Sequence, residues 1–342
     1  MVYAIGMEAR LRRHYISEKV NTVYFGGGTP SILPITSLRT LLQKLRENYS
    51  ITPDAEITLE ANPDDINIDS LLSWKSIGFN RLSIGVQSFR EEDLIWMNRA
   101  HNAQQAIRCI KLAQKVGFHN LSIDLIYGTP TLSDDQWKAN IEQAVALNIP
   151  HLSCYALTVE PKTALHQMIE KGKMPDVSEE RQSIHFDILT KTLREANYEH
   201  YEISNFARPG NQSKHNSSYW QGKPYIGLGP SAHSFNGSSR QWNVANNALY
   251  ITSLQQGEVP FEIEHLTPLQ RLNEYIMTSL RTMQGTSLAY IAKLWSDAEV
   301  SRIIHDARKH IMSGNVNYVD EHLILTRKGK LLADGIAAEL FG

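Results

Sequence analysis

Short apolar runs alternate with longer amphipathic stretches over the first two thirds of the chain. The runs are rich in Val, Ile, Leu and Tyr and do not alternate strictly with polar residues, which is typical of strands buried on both faces. They lie at 22–28, 56–62, 81–88, 120–128, 151–157 and 198–204. Apolar residues at i, i+3, i+4 and i+7 spacing predict helices between them. These helices lie at 35–49, 103–117 and 179–197. The pattern therefore predicts an α/β fold of repeated β–α units.

Repeated β–α units imply parallel strands joined by right-handed crossovers. Two architectures satisfy this rule, a doubly wound sheet and a barrel. Six units in succession favour a full or partial barrel. We assign this part of the fold to residues 1–204.

The alternation of predicted strands and helices stops after residue 204. Residues 205–242 are rich in Asn, Ser, Gly, Pro and His, which predicts a long loop, and their aromatic residues argue against disorder. We therefore treat 205–266 as a connecting region. Residues 267–342 form a separate small domain, in which helices precede two short β-runs and a final helix, as in a winged helix.

Winged helices often bind DNA, but the basic cluster of the small domain is small. The cluster consists of Arg327, Lys328 and Lys330, and the whole chain carries 34 Lys and Arg against 36 Asp and Glu. Because this charge balance gives no attraction to polyanions, we expect no nucleic-acid partner. An unrelated barrel with a nucleic-acid-binding module remains the least favoured alternative.

Composition points to the cytoplasm. No apolar run reaches the roughly 18 residues of a membrane helix, and the first charges follow the apolar stretch, the reverse of a secretory signal. Cys109 and Cys154 are the only two cysteines. They cannot form a disulfide framework or a closely spaced metal clip, so we expect both to be buried apolar residues.

The predicted strands end in residues with binding chemistry. Carboxyl ends of parallel strands form the site in β/α folds. Three glycines lack a Cβ and therefore expose their backbone groups to a ligand. A carboxylate can accept hydrogen bonds from the two hydroxyls of a ribose, and an arginine can bind a ligand carboxylate with two parallel hydrogen bonds. The residues are Gly26, Gly27, Gly28, Thr29, Glu60, Gln87, Arg99 and Asp124. We expect the polar residues at the ends of these strands to lie close together and to form one binding site.

A second candidate lies in the predicted loop. The segment KHNSSYW at 214–220 places an imidazole, His215, among aromatic residues. A neutral imidazole can ligate iron, and an aromatic ring can stack on a flat ligand. The alternative is a histidine that only hydrogen bonds. The same alternatives apply to His233 in the small-residue turn at 227–234.

Six segments in order resemble one known family. They are VYFGGGTPSIL, ITLEANPDDI, RLSIGVQSF, MNRAH, SIDLIYGTP and KHNSSYW. This set resembles the oxygen-independent coproporphyrinogen III oxidase family of radical S-adenosylmethionine proteins. The HNxxY pattern at 215–219 and the C-terminal domain are most similar to its heme-chaperone, HemW-like branch. The resemblance covers nearly the whole chain and implies a partial (β/α)6 barrel with an added C-terminal domain.

The resemblance also implies ligands. The amino-acid part of S-adenosylmethionine would be held by Gly27, Gly28 and Thr29, and its ribose by Glu60. A further set of residues matches the polar positions that bind a second S-adenosylmethionine in the oxidase branch. That set is Gln87, Arg99 and Asp124. Heme would be the other ligand, held at the HNxxY motif. Its residues there are His215, Asn216 and Tyr219.

The sequence departs from the family at the iron–sulfur motif. The family carries C-x3-C-x2-C in the loop after its first strand, where the thiolates hold a 4Fe–4S cluster. Residues 1–21 contain no cysteine and open directly with a helical pattern lacking an N-cap. We expect that the first strand and the cluster loop are missing and that the chain has no radical activity as it stands.

Two functions follow from the resemblance. The first is heme trafficking, with heme or porphyrin as ligand and heme-accepting proteins as partners. The alternative is oxidative decarboxylation of porphyrin propionates, the reaction of the oxidase branch.

Overall fold

The computed structural model describes residues 1–342, except for the side chain of residue 164. Its strands are β1 (Val20–Phe25), β2 (Ile51–Ala61), β3 (Arg81–Gln87), β4 (Asn120–Tyr127), β5 (His151–Ala156), β6 (Glu199–Glu202), β7 (Asn205–Ala207), β8 (His233–Phe235), β9 (Ser239–Asn243), β10 (Phe261–His265), β11 (Thr286–Ser287), β12 (Val316–Val319) and β13 (His322–Leu325). Its helices are α1 (Val2–Leu11), α2 (Ile35–Asn48), α3 (Ile68–Ile77), α4 (Glu91–Trp96), α5 (Ala103–Val116), α6 (Asp134–Ala146), α7 (Ala164–Glu170), α8 (Glu179–Glu195), α9 (Lys214–Trp220), α10 (Asn247–Gln255), α11 (Pro268–Leu280), α12 (Leu288–Leu294), α13 (Asp297–Met312), α14 (Arg327–Lys330) and α15 (Ala333–Glu339).

A curled seven-stranded sheet organises the first part of the chain. Its strand order is β1-β2-β3-β4-β5-β7-β6. The pairs β2–β3, β3–β4 and β4–β5 are parallel, as the sequence pattern predicts. The prediction is wrong at the far edge. There β7, which the sequence analysis did not identify, pairs antiparallel with both β5 and β6, because a turn at 203–204 reverses the chain.

Both faces of the central strands are buried, but the two faces differ. On β4, Leu121, Ile123 and Leu125 are 0–1% exposed and lie on one face, since side chains alternate along a strand. The other face carries polar residues that are also buried, among them Ser122 at 1%. The burial of both faces agrees with the sequence analysis, although polar and apolar residues do alternate on β4 from Asn120 to Leu125.

Two compact units make up the chain. One consists of residues 24–33 and 56–213, and the other of residues 1–23, 34–55 and 214–342. The division into 1–204, 205–266 and 267–342 stays a prediction.

The predicted loop at 205–242 is wrong, because most of it is ordered secondary structure. It contains β7, α9, β8 and β9, and a second sheet has the order β10-β9-β8. The sequence hides these elements because they are short and polar. The last 76 residues by contrast agree with the winged-helix expectation. Thr267 caps α11 through Gln270, and α11-β11-α12-α13-β12-β13 carries an antiparallel sheet of order β11-β13-β12.

No helix among the described residues has both the length and the apolarity needed to cross a bilayer.

A buried carboxylate holds α1 within its compact unit. Glu8 is fully buried and accepts hydrogen bonds from Tyr250 Oη at 2.5 Å, Asn243 Nδ2 at 2.8 Å and Gly229 N at 2.9 Å. Arg12 Nη1 pairs with it at 3.0 Å. A buried ion pair with every partner in place is tolerated, whereas loss of one partner leaves an unpaired buried charge.

We expect Glu8→Ala to lower the free energy of unfolding by about 3 to 5 kcal/mol, because Arg12 would stay buried without its carboxylate. Urea denaturation monitored by circular dichroism measures this change. Glu18→Ala is the matched control, since Glu18 is exposed and its loss should cost less than about 0.5 kcal/mol. Equal effects of the two substitutions would contradict the structural role of Glu8.

Candidate functional site

The triple-glycine turn at the end of β1 is folded around the Glu60 carboxylate. Tyr24 Oη donates to Glu60 Oε1 at 2.7 Å, and the Gly27 N–H donates to Glu60 Oε2 at 3.3 Å. Burial, then the Glu60 charge, raise the pKa of the Tyr24 phenol, so Tyr24 acts as a donor. Glu60 is thereby fixed at the carboxyl end of β2.

Two of the glycines are required for different reasons. A Cβ on Gly26 would lie 2.7 Å from Glu60 Oε1 and 2.6 Å from the Tyr24 ring, so a side chain there would displace the carboxylate. Gly27 has φ +103, a conformation that favours glycine. A Cβ on Gly27 or Gly28 would meet no atom within 4 Å. The backbone of this turn is therefore open to a ligand.

The end of β3 brings a second group of polar side chains together. Arg99 Nη2 donates to Asn62 Oδ1 at 2.9 Å, and Asn62 lies two residues beyond Glu60. Gly85 leaves room for this group, because its Cβ would lie 2.9 Å from Gln87 Nε2 and 3.5 Å from Arg99 Nη2. Gln87 has φ 64, an uncommon conformation for a residue with a side chain, and the strand register shifts just before it.

Asp124 completes the group from β4. Burial, followed by the nearby Glu60 charge, raises the pKa of Asp124 to about 7, although Ser153 and two nearby arginines oppose the shift. Two carboxyl groups that share a poorly solvated region cannot both ionise freely. At neutral pH this acid therefore titrates beside Glu60.

The structure thus brings Glu60, Gln87, Arg99 and Asp124 together with the glycine turn at one end of the sheet, as the sequence analysis expects. Two contributors were missed. Tyr24 orients Glu60 and Asn62 holds Arg99. Each lies two residues from a residue already singled out, but no sequence signal indicates the contact that it makes. Thr29 precedes the helical turn Pro30–Ile32, and its side chain makes no cap hydrogen bond there.

The HNxxY segment forms the helix α9 instead of a loop. His215 Nδ1 lies 2.9 Å from Thr22 Oγ1, and its Nε2 lies 3.0 Å from Tyr219 Oη. The His215 and Tyr219 rings meet edge to face at 5.0 Å, and Tyr219 meets Tyr225 at 4.7 Å. Both ring nitrogens are therefore engaged, and an incoming metal at Nε2 would replace the phenol.

The helix explains the spacing of this motif. Residues four apart lie on the same helix face, so His215 and Tyr219 meet, whereas Asn216 lies on another face. Tyr219 is 40% exposed. His233 lies elsewhere in the same unit, on β8, with its ring 6.3 Å from that of Trp242.

The two cysteines do not fit an iron–sulfur cluster. Cys109 and Cys154 are each 2% exposed, as the sequence analysis expects. Burial raises the pKa of the Cys109 thiol to about 12 and also raises that of Cys154, so neither is poised to form the thiolate that binds iron. Among the described residues there is no group of three or more His, Cys, Asp or Glu that could hold a metal.

Known proteins resemble this chain over almost its full length. Residues 7–144 match the Radical SAM superfamily. The heme chaperone HemW of Mycobacterium tuberculosis is 34% identical over 324 residues, which cover 94% of this chain and 81% of that protein. HemW of Bacillus subtilis is 30% identical over 94% of this chain and 86% of its own length. The chain belongs to the HemW family of radical SAM proteins.

A solved structure confirms the fold of this HemW-family chain. Coproporphyrinogen III oxidase (HemN) from Escherichia coli, described as a radical SAM enzyme, matches with a TM-score of 0.84 at 25% identity. The match covers 99% of this chain and 82% of that one. The partial barrel with an added C-terminal domain that the resemblance implies is therefore confirmed.

Asp124 should make stability depend on pH. The pKa of Asp124 is higher in the folded chain than in the unfolded chain, so ionisation of this group favours unfolding. Its contribution to the free energy of unfolding therefore decreases as the pH rises from about 4 to 7. We expect Asp124→Asn to raise the free energy of unfolding by about 2 to 4 kcal/mol at pH 8 and by progressively less in acid.

Urea denaturation at a series of pH values measures this difference. Asp135→Asn is the control, because Asp135 is exposed at the start of α6 and its replacement should give nearly the same small effect at every pH. A difference for Asp124→Asn that stays constant with pH would contradict the raised pKa.

Proposed function

We propose that this chain carries heme through His215, binds S-adenosylmethionine at the strand-end site and delivers heme to acceptor proteins. Membership of the HemW family carries the proposal, since the curated relatives are heme chaperones. The two sites of the structure supply groups of the right chemistry, an imidazole among aromatic rings and a carboxylate beside an open glycine turn.

The strand-end site suits an adenosyl nucleotide with an amino-acid tail. Glu60, fixed by Tyr24, would accept hydrogen bonds from the two ribose hydroxyls. Gly27, Gly28 and Thr29 would bind the amino and carboxylate groups of the tail through the exposed backbone. Further polar contacts would come from side chains at the ends of β3 and β4 and after α4. They are Gln87, Arg99 and Asp124.

The α9 site suits a ligand that arrives and leaves. His215 Nε2 would bind heme iron in place of the Tyr219 hydroxyl, while Thr22 at Nδ1 would keep the imidazole oriented. Asn216 and Tyr219 would contact the porphyrin. When heme leaves, Tyr219 can reclaim Nε2, so the empty site keeps its hydrogen bond. This exchange lowers the net affinity, which is useful in a carrier.

The radical chemistry of the superfamily does not follow from these residues. A 4Fe–4S cluster needs several thiolate ligands close together, and Cys109 on α5 and Cys154 on β5 are buried and unsuited. We therefore assign this chain two binding functions and no radical step.

Oxidative decarboxylation of coproporphyrinogen III is the second candidate. The likeness to the solved oxidase, with a TM-score of 0.84, favours it. The sequence identity to that enzyme is 25%, below the 34% shared with the mycobacterial heme chaperone. Anaerobic conversion of coproporphyrinogen III by this chain would favour the oxidase.

Heme titration tests the role of His215. We expect His215→Ala to weaken heme binding at least about tenfold and to change the absorbance of bound heme, because iron loses a ligand. Tyr219→Phe should bind heme as tightly as the parent chain or more tightly, since the hydroxyl that competes for Nε2 is removed.

His305→Ala is the control, because His305 is exposed on α13. Unchanged affinity and spectrum in His215→Ala would reject this ligand. Loss of binding in His233→Ala alone would transfer the role to His233.

Calorimetry with S-adenosylmethionine tests the other site. We expect Glu60→Ala to weaken binding at least about tenfold, since two charge-assisted hydrogen bonds to the ribose would be lost. Asp135→Ala, which removes an exposed carboxylate of the same unit, should leave the affinity unchanged. Equal affinity of both variants and the parent chain would contradict the assignment of Glu60.

A further inference from the structure

Strand β3 ends in a strained turn that is centred on Gln87. The Ser88 N–H donates to Val86 O at 2.8 Å, which closes a turn of three residues, and Gln87 in the middle of this turn has φ 64. A hydrogen bond between residues two apart, with a positive φ between them, is typical of the classic γ-turn, which is rare and strained. Such a conformation persists only where surrounding contacts hold it.

The segment that follows α4 holds this end of β3 from one side. The register with β4 shifts just before Gln87, which places Gly85 and Val86 in a bulge. Arg99 Nη2 donates to Gly85 O at 3.4 Å, and His101 Nε2 lies 3.0 Å from Val86 O. Two side chains of one short segment therefore contact the two neighbouring carbonyl groups of the bulge.

His101 can bond Val86 only as a donor. A carbonyl oxygen accepts hydrogen bonds and cannot donate them, so the proton of a neutral imidazole must lie on Nε2. Burial is the largest cause that lowers the pKa of His101, although the bond to Val86 and two nearby carboxylates oppose the shift. The lowered pKa favours the neutral ring, which has one N–H and one lone pair.

The other nitrogen of the His101 ring lacks a partner. The side chain is 3% exposed, and its Nδ1 has no hydrogen-bond partner among the residues that the structure describes. An unpaired buried acceptor costs free energy, and an apolar side chain in the same space would avoid this cost. The contribution that offsets the cost is the hydrogen bond from Nε2 to Val86 O.

Ser88 fixes the other side of the turn. It is fully buried, and its hydroxyl donates to Asp93 Oδ2 at 2.8 Å and accepts from Asn140 Nδ2 at 2.9 Å. These contacts do not involve the Val86 carbonyl, which is the group that His101 holds. The strained residue thus lies between two anchored neighbours.

The turn determines where the Gln87 amide lies. A Cβ on Gly85 would lie 2.9 Å from Gln87 Nε2 and 3.5 Å from Arg99 Nη2, so the amide folds back over Gly85 beside the guanidinium. We propose that His101 is a positioning residue for the strand-end site, where its Nε2–H on Val86 O keeps the Gln87 amide in place for S-adenosylmethionine. The proposal rests on the proposed function for the identity of the ligand.

NMR of the ligand-free chain tests the hydrogen bond itself. In protein labelled with nitrogen-15 histidine, we expect His101 to carry its proton on Nε2 and to have an unprotonated Nδ1 at neutral pH. We expect the Ser88 amide to exchange with solvent at least about tenfold faster in His101→Leu, because the turn loses a donor that holds it. A proton on Nδ1 alone, or unchanged exchange of the Ser88 amide, would overturn the proposal.

Two amide variants provide the matched comparison. The NH₂ group of Gln reaches about as far from the backbone as Nε2 of His, whereas the NH₂ group of Asn reaches only as far as Nδ1. We therefore expect His101→Gln to restore slow exchange of the Ser88 amide and His101→Asn to exchange as fast as His101→Leu. Equal exchange in the Gln and Asn variants would show that the reach of the donor has no effect, and the positioning role would be wrong.

Calorimetry with S-adenosylmethionine gives the functional readout. We expect His101→Leu to weaken binding about three- to tenfold, because an amide that is no longer held must be ordered when the ligand binds. His101→Gln should bind within about twofold of the parent chain. His119→Leu is the control, since His119 is an exposed histidine of the same unit, and its affinity should be unchanged.

The outcomes separate this proposal from the proposed function. Equal affinity of His101→Leu and the parent chain, or failure of His101→Gln to restore binding, would reject the positioning role of His101. Absence of binding by the parent chain would reject S-adenosylmethionine as the ligand. In that case the exchange of the Ser88 amide still decides whether His101 holds the turn.

Discussion

Buried polar side chains on one face of the parallel sheet must find all their hydrogen bonds within the protein. Desolvation makes each unpaired polar group costly, so these side chains form chains across neighbouring strands. Ser122, His151 and Tyr201 are linked by bonds of 2.7 and 2.6 Å. One pleat further along β5, Ser153 Oγ donates to Asn205 Oδ1 at 3.0 Å, and Asn205 Nδ2 donates to Glu202 Oε2 at 2.6 Å. Neighbouring strands are therefore linked by the same hydrogen bonds that make the burial of these polar groups tolerable.

This constraint explains which parts of the fold could be predicted from sequence. Apolar runs such as 120–128 indicate strand positions well, because Leu121, Ile123 and Leu125 form a buried apolar face. This face is required whichever polar residues the other face carries. The capped helices were also predictable, since Thr267 and Gln270 form a local box. The hairpin of β6 and β7 was not predictable, because its pairing depends on a register shift and on tertiary contacts that leave no periodic pattern.

The candidate site divides in the same way. Glu60, Gln87 and Asp124 could be placed together from strand ends alone, because parallel strands bring their carboxyl ends to one edge. The sequence could not show which contacts hold these side chains in place. Tyr24 reaches Glu60 across 36 positions and Arg99 reaches Asn62 across 37. Such contacts depend on side-chain reach in three dimensions, for which the spacing along the chain gives no measure.

The two sites of the chain hold their functional groups by opposite means. Glu60 is held by the Tyr24 hydroxyl and the Gly27 N–H, and the turn beside it stays open at Gly28, where a Cβ would meet no atom within 4 Å. His215 is held at Nε2 by Tyr219, which iron would have to displace at the proposed heme site. A preorganised acceptor favours tight, persistent binding, because little is reorganised when the ligand arrives. A group that already has a partner binds more weakly and releases more readily. The proposed retention of a nucleotide and transfer of heme would use this difference within one chain.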